Sequence, residues 1–158
     1  RFGGSPAELL VIGVYVVALV LAFATDLDQR LLPDVITLPL VLLALVAFAT
    51  GSGPFVHSVE DLGWAAATAI GVTVGLFLLA IPFGAGAIGQ GDLKLLVSIG
   101  LLGGALNLFY ALVAGALLAG VVVAILVATR RISMKSFVPY GPFLIAGTLW
   151  AILVLQGP

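Results

Sequence analysis

The chain has 158 residues, of which 63% are hydrophobic and 8% charged. Soluble domains carry about 25% charged residues, so this composition excludes a water-soluble domain and describes an integral membrane protein, read as one domain over residues 1–158. A formal net charge of −1, no cysteine and one histidine leave no basic surface for nucleic acid and no thiolate site or cysteine nucleophile, and they argue against a histidine metal site or a Ser-His triad.

A spanning helix needs about 20 apolar residues. Ala7 to Thr25 is the first such run, and Asp26 to Pro33 breaks it with charges and a proline. Val35 to Thr50 is the second, closed by Gly51-Ser52-Gly53-Pro54. His57 to Asp61 reads as a polar loop, and Leu62 to Phe83 as the third helix. Gly84 to Gly91 is a glycine-rich connection. Leu93 to Thr129 is then apolar throughout, nearly two spans long, with its best turn signal at Gly103-Gly104 and Asn107. That predicts a short fourth helix and a longer fifth. A basic loop from Arg130 to Ser136 precedes a sixth helix from about Gly141 to Leu155. The expected fold is an all-α bundle of about six membrane helices. Small residues at Ala65 to Ala69, Gly71 and Gly75 in the third helix, and at Ala114, Ala116, Ala119 and Gly120 in the fifth, predict close helix packing.

With six helices, the connections after the first, third and fifth share one membrane face. They hold Arg30, Lys94, Arg130, Arg131 and Lys135, and only Arg1 falls on the other side. Basic residues concentrate on the cytoplasmic side, so this face is expected to be cytoplasmic. Asp26 and Asp92 both belong to it.

Carboxylates at the edge of apolar segments are costly, about 2.5–3.5 kcal/mol each at a helix centre. Two on one face suggest aspartyl chemistry, in which one ionised carboxylate activates a water while its protonated partner donates to a carbonyl. Gly89 and Gly91 precede Asp92 and are expected to permit positive φ or close backbone approach. Lys94 stands two residues beyond Asp92 and could stabilise the anion or bind lipid phosphate. Asp34 reads as the N-cap of the second helix. The residues alone leave two other readings open. One is a proton-coupled transporter with Asp26 and Asp92 as a relay; the other is a structural subunit in which Asp92 is a plain N-cap.

Asp26-Leu27-Asp28-Gln29-Arg30-Leu31-Leu32-Pro33-Asp34, with Thr37-Leu38-Pro39, resembles the first signature of the type IV prepilin peptidases. Gly89-Gln90-Gly91-Asp92-Leu93-Lys94-Leu95 resembles their second, a GxGD motif, and Pro139-Tyr140-Gly141-Pro142-Phe143 is similar to the stretch that opens their last helix. The resemblance implies a membrane aspartyl endopeptidase of the plasma (inner) membrane. Asp26 and Asp92 would be catalytic, with Gly89, Gly91 and Lys94 supporting or binding substrate. It implies neither metal nor cofactor for cleavage, and its partners would be a prepilin or pseudopilin leader peptide and the lipid bilayer. Larger family members resemble this chain plus an N-terminal part with two Cys-x-x-Cys pairs. That part is expected to be missing here, and methyl transfer with it.

Overall fold

The computed structural model describes residues 5–29, 32–83, 89–131 and 140–155, and everything regular among them is helical. The first helix, α1, is Pro6–Gln29; α2 is Asp34–Ala49; and α3 is Val59–Ala80, followed by a single 3₁₀ turn at Ile81–Phe83. The helical stretch Gln90–Ala128 has 39 residues. As a straight rod it would be ~58 Å long at ~1.5 Å per residue, almost twice a hydrocarbon core of ~30 Å. It is not straight. Gly104 adopts φ 75° and ψ 176°, a conformation closed to most other residues, and divides the stretch into α4 (90–103) and α5 (105–128). The last helix, α6, is Gly141–Trp150, extended by one wider π-type turn at Ala151–Leu155.

The expected bundle of about six helices is therefore observed, with the break in the long apolar run at the expected glycines. The ends differ from expectation for local reasons. Helix α1 continues past Asp26 to Gln29, so the acid is held on a regular backbone rather than in a loop. Helix α3 starts at Val59 because Ser58 and Asp61 form a reciprocal capping box. Asp34 is not a cap: Pro33 occupies the cap position in extended conformation, and no side chain caps α2. Helices α2 and α5 both end in paired backbone bonds of the Schellman type. In α2 these are Ser52 N–H to Ala47 O and Gly51 N–H to Phe48 O. In α5, Arg131 N–H reaches Leu126 O while Arg130 takes a positive φ of 57°.

Side-chain contacts set the directions of the helices. On α1 and α4, Tyr15 pairs with Ser98 while Asp26 lies near Asp92, so the two run antiparallel. Asp34 at the start of α2 meets Lys94 at the start of α4. The second connection and the Gly104 break meet at the far end, where Val56 touches Gly104 at 3.8 Å from a built Cβ. One end of the bundle thus gathers the end of α1 and the starts of α2, α4 and α6.

Helices α5 and α6 cross with their backbones in contact. A Cβ on Gly147 would collide with the carbonyl of Ala111 and come within 2.7 Å of the Gly115 nitrogen. The expected small-residue faces are only partly used: Ala65 and Ala69 are buried, but Gly71, Gly75 and Gly120 face open space. The core is a cluster of aliphatic side chains around Tyr15, Leu19, Leu95, Leu96, Ile99, Leu108, Leu144 and Ile145. The outside is also apolar, with Leu10, Val17, Leu42, Phe77 and Leu117 all exposed. Such a surface suits lipid, not water. Three described helical stretches are long and apolar enough to cross a membrane, and α2 and α6 are shorter apolar helices.

His57 is exposed at the far end of the bundle, and Gln90 is exposed at the end that gathers the two acids. Single cysteines replacing them should react with a membrane-impermeant thiol reagent from opposite sides of the membrane. Labelling of both from one side would contradict a membrane crossing by α3.

Candidate active site

Asp26 is 3% exposed and Asp92 is 9% exposed, so neither is an interfacial acid reaching for water. Asp92 is the third residue of α4, behind the cap Gly89, and the positive end of the helix dipole favours its charge. It is not itself the cap; its side chain is turned into the bundle. Asp26 belongs to the last turns of α1, and its Oδ2 is buried with no hydrogen-bond partner among the described residues. An unpaired buried carboxylate oxygen costs several times an ordinary hydrogen bond unless a proton, a water or a substrate satisfies it.

The two acids meet at Gly141, the first residue of α6. A Cβ built there would collide with Asp26 Oδ2 and lie 2.8 Å from Asp92 Oδ1. Both carboxyl groups therefore reach the same small volume, one from α1 and one from α4, and α6 presents bare backbone to it. Two negative charges brought together in this way would repel each other. The neighbouring Tyr140 hydroxyl donates to the Leu112 carbonyl at 3.3 Å. Burial raises the Tyr140 pKa, and the charge of Asp92 raises it further.

The other expected site residues separate into distinct jobs. Gly91 is needed for close approach: a Cβ there would come within 2.5 Å of Leu32 Cβ and 2.8 Å of the Leu32 carbonyl. It lets the first turn of α4 lie directly on the backbone that enters α2. Gly89 is exposed with φ −66°, and a Cβ there would only touch the Asp92 carboxyl at 3.4 Å. Neither glycine uses a positive φ. Lys94 does not reach Asp92. Its Nζ lies 2.6 Å from Asp34 Oδ1, a partly exposed ion pair that ties α2 to α4 one turn from the buried acids. The Asp28 side chain and Arg30 lie outside the described residues.

Gly141 is the site residue that inspection of the sequence did not single out. Its only local signal was membership of the Tyr140-Gly141-Pro142 stretch, which says where α6 begins but not what the glycine faces.

Residues 13–126 match the type IV leader peptidase family. The chain belongs to that family. Across 158 residues it is 34% identical to a prepilin leader peptidase/N-methyltransferase of Pseudomonas putida, a match covering 99% of this chain and 53% of that protein. It is 32% identical over 130 residues to the protein of the same description in Pseudomonas aeruginosa, covering 82% of this chain and 43% of the relative. With that of Stutzerimonas stutzeri it shares 30% over 131 residues, covering 82% and 44%. The chain spans about half the length of the curated relatives it matches. No solved structure matches it. Asp26 and Asp92 both lie inside the family match, whereas Gly141 lies beyond it.

The packing separates the two glycines of the GxGD motif. Gly91→Ala should lower stability by about 1–3 kcal/mol, the usual cost of overpacking, and Gly89→Ala by less than about 0.5 kcal/mol. Thermal unfolding in detergent measures both. Asp34→Asn should cost under about 1 kcal/mol, as for other partly exposed ion pairs. Equal losses for the two glycine variants would contradict the close contact at Leu32.

Proposed function

We propose that this chain is an aspartic endopeptidase that removes the leader peptide of type IV prepilins or pseudopilins at the cytoplasmic face of the plasma membrane. The observation that carries the reading is the convergence of two buried carboxyl groups on Gly141. Family membership supports peptide-bond hydrolysis, and the descriptions of the relatives support a prepilin as substrate.

The chemistry follows from one proton shared by two acids. The ionised carboxylate takes a proton from a water held between the pair, and the water oxygen bonds to the scissile carbonyl carbon. The protonated carboxyl gives its proton to the carbonyl oxygen, whose π pair becomes a hydroxyl. Collapse of that gem-diol breaks the C–N bond: the leaving nitrogen takes a proton from the acid that gained one, and a gem-diol hydroxyl, becoming the new carbonyl, returns its proton to the carboxylate that gave one. Each Asp ends as it began. The aliphatic core around the dyad excludes bulk water, which strengthens the field between the acids and the reacting carbonyl.

The positive-inside rule supports the orientation. Lys94 near the start of α4 and Arg130 and Arg131 after α5 stand on the dyad's face, as do Arg30 and Lys135 by their places in the sequence. A leader rich in basic residues would meet the acids from that side.

Purified protein incubated with a prepilin peptide should cleave it with a bell-shaped pH profile. Activity needs one proton on the pair, and it is lost when both acids are protonated or both ionised. Asp26→Asn and Asp92→Asn should each lower the rate by at least about 10²–10⁴-fold while leaving the helical circular-dichroism signal unchanged. Robust cleavage by either variant would overturn the assignment. Proton uptake into vesicles without cleavage would favour the relay instead.

A further inference from the structure

The end of the bundle away from the dyad holds a cavity of about 390 Å³, within the ~300–1,000 Å³ usual for small-ligand sites. Its walls come from three places: His57 on the α2–α3 connection, Asp61 and Trp64 on the first turns of α3, and the break between α4 and α5. Gly104 makes that break with its positive φ, and the buried Asn107 amide donates to the Gly103 carbonyl at 2.7 Å, which fixes this wall. Asp61 Oδ2 accepts the Ser58 N–H at 3.1 Å. A carboxylate has about four acceptor sites, so capacity remains for a further donor. The α3 dipole favours its negative charge, and among the described residues no lysine or arginine lines the cavity. Trp64 is 67% exposed, and an indole face beside a carboxylate attracts an organic cation. The other walls suit an anion: a neutral imidazole has one N–H to donate, and α5 begins here with the positive end of its dipole. Cation and anion subsites in one cavity match a zwitterion. Around it the surface is apolar, with Leu106 and Phe109 exposed on α5, and tryptophan is enriched where a membrane meets water.

We propose that this cavity binds the headgroup of an aminophospholipid of the phosphatidylethanolamine type, in the leaflet opposite the dyad. The primary ammonium donates to the Asp61 carboxylate and lies against Trp64. The phosphate meets His57 and the start of α5, and the acyl chains run along Leu106 and Phe109. A quaternary ammonium cannot donate to Asp61. An anionic headgroup would face that carboxylate with no lysine or arginine beside it. The site is independent of the peptidase reading, because it shares no residue with the dyad.

The test uses the whole chain in detergent, with short-chain phosphatidylethanolamine, phosphatidylcholine and phosphatidylglycerol titrated in and bound lipid counted by native mass spectrometry. Wild type should bind the ethanolamine lipid at least about tenfold more tightly than the other two, the usual effect of one hydrogen bond to a charged group. Asp61→Asn keeps an acceptor for the Ser58 N–H but removes the charge, and should abolish that preference. Trp64→Leu should weaken binding about threefold. Glu60→Gln, the same charge change one residue away and off the cavity wall, should leave binding unchanged. Equal binding of the three lipids by wild type, or a preference that survives Asp61→Asn, would overturn the proposal. Soluble glycerophosphoethanolamine should bind at least about 100-fold more weakly than the lipid; equal binding would make the ligand a free amine and overturn the lipid assignment. Should Asp61→Asn not fold, a phosphatidylethanolamine with a photoreactive headgroup decides on wild type. Cross-links should fall within residues 54–64 and 103–107, and cross-links confined to other residues would refute the site.

Discussion

Two carboxyl groups buried side by side in an apolar bundle cannot both carry charge at acceptable cost. Each anion loses its hydration, and each repels the other in a medium that screens poorly. A fold that places Asp26 and Asp92 together must therefore hold a proton, a water or a ligand between them, and must spend packing elsewhere to keep them there. Much of the architecture serves that placement. Helix α1 stays regular through Asp26, so the acid stands on helical backbone rather than in a loop. Helix α4 begins just before Asp92, where the helix dipole favours a negative charge.

Between them, α6 acts as the spacer. Gly141 presents only backbone to the acids, and further along the same helix Gly147 presents only backbone to α5. Packing at one glycine thus fixes the height and angle at which the other meets the dyad. On the other flank, Gly91 lets α4 rest on Leu32, and the Lys94–Asp34 pair ties the same two elements at the rim. The Tyr15–Ser98 hydrogen bond, 3.1 Å and fully buried, joins α1 to α4 deeper in the bundle. Dispersion and close packing, rather than the hydrophobic effect, hold such an assembly together in lipid. That is why small residues recur where the backbones touch.

The parts of this arrangement that are periodic or compositional were legible in the sequence. Apolar runs of spanning length became helices, and Gly103-Gly104 marked the fold of the long run because Gly104 alone there takes a positive φ. Asp26 and Asp92 stood out because charge at the edge of an apolar run is expensive. Helix ends were less legible. The Ser58-x-x-Asp61 capping signal lies inside a stretch polar enough to resemble a loop, while Pro33 displaces Asp34 from the cap by favouring the extended conformation itself. What no local pattern announces is which face of a helix meets which neighbour. Gly71 and Gly75 look like packing residues and face open space; Gly91 and Gly141 look like turn residues and are the close contacts. Tertiary contact decides these, and it joins residues far apart in the chain.

The central claim is that Asp26 and Asp92 form one buried unit sharing one proton. Infrared spectroscopy of the purified protein, with aspartate carboxyls isotopically labelled, observes this without substrate. At neutral pH, wild type should show one protonated aspartic acid in an apolar environment, and both Asp26→Asn and Asp92→Asn should remove or shift that band. The absence of any protonated aspartic acid at neutral pH, or a band indifferent to either substitution, would show two independent, solvated carboxylates and would contradict the account.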